Sequence, residues 1–344
     1  MHTMRILILL LLAPLAVPAA AEPAAMTFWR AFFARPLAAP APPGDPVTAE
    51  KIALGGRLFN DPRLSGGGER TCASCHQANR SFADGLPRAR ALTGEPLPRN
   101  TPSLWNVAWS PVLHWDGIVT SLETQARRPI EHPRELAGSW PAIVASLERD
   151  TGIAALFARA FPESPLVSMD TITRALAAFE RSLVSPPTRF DRWVAGGGAL
   201  AADEIAGFEL FTGKAGCVGC HAGWRFTDDA FHDTGLPGGD PGQGAVPGGV
   251  PGLAAFKTPS LREAKWSAPY MHDGSLATLQ AAVDHYTDGI AARPGLSSKL
   301  TRPLVLSAEE KARLVAFLGA LSSGAPPEAP EGAWGSKERA SHLP

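Results

Sequence analysis

Apolar residues recur at helical spacing in a series of short blocks along this chain, with polar and Gly/Pro-rich stretches between them. Residues 50–59 set Ile52, Leu54, Leu58 and Phe59 at near-helical spacing before Asp61-Pro62 closes the run. Blocks at 121–128, 140–149 and 171–183 predict further helices, the last with Ile172, Leu176, Ala177 and Phe179 on one side. Residues 200–211 and 276–286 predict two more, and Ser307-Ala-Glu-Glu310 forms a capping box opening a final helix through Leu321. The stretch 82–111 reads as loop because Pro87, Pro96, Pro98 and Pro102 exclude a long helix, and 234–255 reads as Gly/Pro-rich loop. Strand patterns are scarce. The expected class is mainly α, with helices joined by long irregular segments.

Two of these blocks end alike and lead to the same pentapeptide. Leu54-Gly-Gly-Arg-Leu-Phe59 precedes Cys72-Ala-Ser-Cys75-His76, and Gly207-Phe-Glu-Leu-Phe211 precedes Cys217-Val-Gly-Cys220-His221; the two motifs hold all four cysteines. Cys-x-x-Cys-His is a c-type haem attachment signal, in which two thiols bond the porphyrin and the adjacent imidazole becomes an iron ligand. A single zinc held by four thiolates would leave both histidines unexplained. A redox dithiol would not occur twice. The recurrence predicts a divergent tandem repeat of two haem domains resembling cytochrome c, residues 47–188 and 189–323. An Ala/Pro-rich linker or wrapping arm precedes them at 22–46, and a poorly ordered tail follows at 324–344.

Residues 1–21 combine Arg5, an apolar run from Ile6 to Leu12, and Ala19-Ala20-Ala21, which reads as a secretory signal peptide cleaved after Ala21. Pro14 and Pro18 interrupt the apolar run and disfavour a membrane span. Covalent haem with a secretory leader predicts a periplasmic protein. The formal net charge of −1 gives no footprint for nucleic acid or an anionic membrane.

Several further segments carry a resemblance. Leu54-Gly-Gly-Arg-Leu-Phe59 with Asp61-Pro-Arg-Leu-Ser65, Arg99-Asn-Thr-Pro-Ser-Leu104, Trp115-Asp-Gly117, Thr258-Pro-Ser-Leu-Arg262 and Ala268-Pro-Tyr-Met-His-Asp-Gly274 occur in order over roughly residues 46–322. Together they resemble the bacterial di-haem cytochrome c peroxidase and MauG superfamily. Cys220-His-Ala-Gly-Trp-Arg-Phe226 with Phe231-His-Asp-Thr-Gly235 is similar to its MauG-like, MbnH-like branch.

The resemblance assigns roles residue by residue. The first haem has His76 as proximal ligand, while residues 84–99, where most di-haem peroxidases carry a capping histidine, contain neither His nor Met. Its sixth position is therefore expected to be open, or to hold only water, and to meet peroxide. Glu135 matches the family's acid/base glutamate, Gln125 a distal polar residue, and Trp115 an electron relay between the haems. Glu131 and His132 are neighbouring competitors of Glu135, and a buried tryptophan is more often simply core. The second haem has His221, and the distal ligand position falls on Tyr286, with Met271 and His285 as alternatives. A thioether there would raise the potential, as in cytochromes c; a phenolate would instead favour oxidised iron. Calcium between the domains would be held by the Asn100 side chain and the Ser267 and Pro269 carbonyls, an oxygen donor set that suits it. His232 and His272 are expected to make structural or propionate hydrogen bonds.

The resemblance thus implies a peroxide-using oxidoreductase that oxidises a partner protein, on an aromatic or Trp side chain, through a paired high-valent haem state. The alternatives are a cytochrome c peroxidase fed by a small cytochrome or cupredoxin, and a non-catalytic electron carrier. One departure stands out. Ala215 occupies the position of MauG's surface tryptophan, with Trp224 and Trp266 as replacements or core residues.

Overall fold

Thr48 accepts a hydrogen bond from the Lys51 N–H and opens α2 (Ala49–Phe59), the helix that precedes the first Cys-x-x-Cys-His segment, at the boundary the apolar spacing marks. The computed structural model describes residues 24–300 and 304–329; the expected signal peptide and the tail beyond residue 329 lie outside them. α2 crosses α6 (Met169–Ser182) at Gly55, where a Cβ would run into the Ala175 carbonyl. α8 (Ala202–Thr212) crosses α10 (Ala308–Ala320) in the same way, at Gly207 over the Arg313 carbonyl. In each pair the next turn supplies a phenylalanine, Phe179 or Phe317, against the glycine.

Around each crossing lies one apolar cluster. The first gathers Leu54, Leu58, Phe59, Ile172, Leu176 and Phe179, with α3 (Leu122–Glu131), α4 (Trp140–Glu148) and α5 (Thr151–Ala160) contributing Ile130, Leu147 and Phe157. The second is aromatic: Phe190 from α7 (Arg189–Val194), Phe208, Phe211, Phe226 and Phe317 pack with centroid separations of 5.1–6.1 Å. α9 (Leu279–Asp284) adds Val283 to it.

Three helices escaped the sequence reading. α5 is capped by Asp150, whose carboxylate accepts from the Gly152 and Ile153 N–H groups. α7 is only six residues long, too short for a periodic signal. α1 (Ala24–Phe32) lies within the segment read as arm. Its Trp29 and the following Phe33 pack into the second cluster, and Arg35 donates to the Ser185 and Pro186 carbonyls. The segment is thus tied to the second cluster through a helix and an aromatic plug.

Strand content among the described residues is one two-residue ladder, β1 (Phe231–His232) antiparallel to β2 (Phe256–Lys257). The predicted 276–286 helix is shorter than expected and gives way to a wide π turn, His285–Gly289. Residues 324–329 are described, and Ala329 packs against the first cluster.

Candidate haem sites and their surroundings

Each Cys-x-x-Cys-His segment forms a 3-10 turn, Cys72–Ser74 or Cys217–Gly219, in which the histidine N–H donates back to the first cysteine carbonyl at 2.9 Å. The imidazoles are held identically. His76 Nδ1 donates to the Phe82 carbonyl at 2.8 Å and His221 Nδ1 to the Phe226 carbonyl at 2.9 Å. Because a carbonyl only accepts, Nδ1 carries the proton and Nε2 presents its lone pair, the arrangement a metal-ligating histidine needs. Both phenylalanines sit at φ 56°, a left-handed conformation that turns their carbonyls onto the rings. Burial lowers both imidazole pKa values, keeping the ligands neutral.

No disulfide joins any of the four cysteines. Burial pushes Cys72 and Cys217 up to about 12, unlike an activated dithiol. The four sulfurs do not converge on one zinc site: the only candidate metal cluster among the described residues is Cys220 with Asp228 and His232. His232 is already engaged there, with Asp228 at 2.9 Å and Ser297 at 3.1 Å, which matches a structural hydrogen-bonding role. Gln125 Oε1 and His114 Nε2 are among the buried polar atoms that have no protein partner. Protein interiors rarely leave such groups unmet. Cysteine pairs not tied up in disulfides and neutral imidazoles protonated at Nδ1 together fit a haem at each motif.

Glu135 follows α3 and stands beside His132, 3.5 Å from Nδ1. Burial raises its pKa, partly offset by His132 and Arg128, and its charge reaches Cys75 of the first motif. Glu131 faces outward and accepts from Arg127 and from Trp140 Nε1. Of the two glutamates, Glu135 is the one whose charge bears on Cys75 of the first motif. α3 continues through Pro129, which cannot donate to the Gln125 carbonyl one turn back.

Trp115 is fixed at both ends. Its indole N–H donates to the Asn100 carbonyl at 2.9 Å, and its own carbonyl accepts from the Lys257 N–H at 2.8 Å. Asn100 is buried, donating Nδ2 to the Leu86 carbonyl and its backbone N–H to the His272 carbonyl. That orientation leaves the Oδ1 lone pairs for another partner. Ser267 and Pro269 flank Ala268, on the loop that carries His272, and the His272 ring stacks on Phe256 with centroids 3.5 Å apart.

Around the second motif the aromatic candidates separate. Tyr270 donates its hydroxyl to the Ala264 carbonyl at 2.9 Å, and His285 Nε2 pairs with the Thr234 carbonyl. Tyr286, in the π turn, has its phenol pKa raised by burial and by Cys217 and Cys220, so it lies within electrostatic reach of the second motif. Met271 lies at φ 73° in the Tyr270–Leu276 bridge. Trp266 is anchored by the Ser323 carbonyl, while Trp224 packs edge-on to Trp109 at 4.7 Å beneath Arg35 and Arg262. Ala215 packs against the second cluster.

Sequence reasoning missed two groups here. His114 directly precedes the Trp-Asp-Gly motif, and no sequence signal distinguishes it from a loop histidine. Glu180, on α6 with one carboxylate oxygen unpartnered, is pushed up to about 8 by burial; only its polarity in an otherwise apolar helix face could have flagged it.

Comparison with known proteins agrees with this geometry. A family model described as di-haem cytochrome c peroxidase matches residues 49–199. The methylamine utilization protein MauG of Methylorubrum extorquens is 47% identical over 298 residues, covering 86% of this chain and 84% of its own. A cytochrome-c peroxidase, IdrP1, of Denitromonas iodatirespirans is 37% identical over 322 residues, covering 83% and 85%. A crystal structure of a MauG-like protein associated with microbial copper homeostasis superposes with a TM-score of 0.80 at 33% identity, covering 89% of this chain and 99% of that one. The chain belongs to the bacterial di-haem cytochrome c peroxidase and MauG superfamily, and is a haem-dependent oxidoreductase that acts on peroxide.

Proposed function

We propose that this is a MauG-like enzyme that uses hydrogen peroxide to oxidise an aromatic side chain, tryptophan foremost, of a partner protein. The observation carrying this reading is the inequality of the two motifs. His76 has neither His nor Met in the 84–99 segment, while Tyr286 lies within electrostatic reach of Cys217 and Cys220. Two haem c groups, bonded through Cys72/Cys75 and Cys217/Cys220 with His76 and His221 as proximal ligands, would supply the redox chemistry with peroxide. Residues 47–188 and 189–323 would be the two cytochrome-c-like domains.

The protein's own contribution is proton handling and electron routing. Glu135, with a carboxyl pKa raised by burial, is suited to take a proton from one peroxide oxygen and return it to the other. Gln125 Oε1 would orient the bound molecule. Trp115, bonded to the Asn100 carbonyl on one side and Lys257 on the other, would divide electron transfer between the haems into two shorter steps. A phenolate at Tyr286 would hold the second iron oxidised rather than raise its potential as methionine does. Asn100 Oδ1 and the Ser267 and Pro269 carbonyls would bind calcium. No helix among the described residues is long and apolar enough to cross a membrane, and the expected leader makes the periplasm the proposed compartment.

Electron paramagnetic resonance of the resting ferric protein tests the reading. It should show one high-spin and one low-spin haem; two low-spin signals would rule out the open first site. The second reading, peroxide reduction with electrons from a small cytochrome or cupredoxin, is favoured by relatives named cytochrome-c peroxidase. Fast turnover with such a donor, retained in Tyr286→Phe, would establish it instead.

A further inference from the structure

His114 lies within electrostatic reach of His76 and takes no part in the proton handling or electron routing proposed above. It stands in a tight loop closed by the Leu113–Val119 bridge and adopts φ 65°, a left-handed backbone that a side chain with a Cβ enters at a cost. Its counterpart in the second half is Met271, in the Tyr270–Leu276 bridge at φ 73°. The loop is not loose. Leu113 and Val119 form a buried cluster with Leu122 of α3 and Ala177 of α6. Gln125 lies less than one helical turn beyond Leu122.

The ring's surroundings point one way. Nε2 is buried and meets no protein donor or acceptor, as is true of Gln125 Oε1. The charges that bear on His114 are Asp116, Arg128, Arg99 and His76, so it lies within electrostatic reach of the first proximal ligand. Arg128 acts on both His114 and Glu135. An imidazole nitrogen that is buried and meets no polypeptide group needs a partner that is not part of the chain. Burial also lowers its pKa to about 4, so the ring is neutral and offers one donor and one acceptor nitrogen.

We propose that His114 is a third polar residue on the ligand-binding face of the first haem, where its Nε2 hydrogen-bonds the exogenous ligand beside Glu135 and Gln125. This rests on the reading above that peroxide reacts at the first haem. The residue acts by holding the ligand's orientation, with the tautomer set by whether that ligand accepts or donates.

The test uses the holoprotein with both haems attached and two probes: fluoride on the ferric form and carbon monoxide on the ferrous form. In His114→Phe the fluoride dissociation constant at the first haem should rise about tenfold, equivalent to about 1.4 kcal/mol. The carbon monoxide stretch should move to higher frequency. His114→Gln, which keeps a polar tip, should recover part of both shifts, and unchanged bands of the second haem report that both variants are folded. Identical fluoride affinity and stretch in all three proteins would overturn the proposal, leaving His114 as packing. So would a low-spin first haem that turns high-spin only in His114→Phe, since that identifies an iron ligand. A wild-type first haem that binds neither probe would overturn the reading of the site itself, and this proposal with it.

Discussion

Trp115 donates its indole N–H to the Asn100 backbone carbonyl, 2.9 Å away, so the proposed relay is hydrogen-bonded directly to the proposed calcium ligand. Trp115→Phe removes the hydrogen bond while keeping an aromatic ring. Stopped-flow spectra should show the first haem still reacting with peroxide while the response of the second slows. Equal rates at both haems in the variant would leave Trp115 as core only.

Glu135→Gln should lower the rate of reaction with peroxide by about 10²–10⁴, the usual contribution of a positioned general base. The wild-type rate should fall as pH drops through a pKa above the ordinary glutamate value of 4.5, because burial holds the proton on. A pH–rate profile of kcat/KM measures this. The acid limb should disappear in the variant, and its persistence would assign the proton to another group.

Tyr286→Phe should convert the second haem from six-coordinate low-spin to five-coordinate high-spin without altering the first. Tyr286→Met should raise the second haem's reduction potential, following the preference of thioether for reduced iron. Spectroelectrochemistry of the two variants reads both effects. A wild-type spectrum preserved in Tyr286→Phe would move the ligand to Met271.

Glu180 gives a stability prediction. Its carboxyl, 5% exposed, is raised from 4.5 to about 8, so the folded state prefers it protonated. The stabilisation this brings is complete below pH 4.5 and is lost as pH climbs towards 8. At roughly 1.4 kcal/mol per pKa unit, the loss amounts to several kcal/mol. Thermal melts of the holoprotein should therefore decline between pH 5 and pH 8.5, and Glu180→Gln should flatten the decline. Parallel curves would show the carboxylate to be solvated.

Gly55→Ala and Gly207→Ala each place a methyl group against a backbone carbonyl at a helix crossing. Overpacking of this kind costs about 1–3 kcal/mol. Denaturant titration should give similar losses for both, since the crossings are built alike. A neutral Gly55→Ala would mean that α2 slides along α6 at little cost.

Much of this molecule could be read before its fold was seen, and the failures have physical reasons. Both haem motifs and helices α2, α3, α4, α6, α8 and α10 are local signals, carried by spacing, capping or adjacent ligands, and the boundaries fall within a few residues of expectation. The tyrosine choice rested on the family resemblance. The geometry adds that Tyr270 and His285 are hydrogen-bonded elsewhere, which counting along a sequence cannot reveal. α1 was hidden because Pro and Ala dominate its surroundings, and its stability comes from Phe33 lying among residues more than 150 positions away. His114 was invisible for a similar reason: its meaning depends on a nitrogen left unpartnered by tertiary packing.

The plug formed by Phe33 and Arg35 has a consequence for the order of assembly. Residues near the start of the described chain complete their packing only when Asp191, Phe190 and Phe226 are in place. A chain emerging from its N-terminus can close the α2–α6 crossing first, but α1 must wait for the second half. The first described helix is thus among the last to dock, acting as a latch on the half made after it.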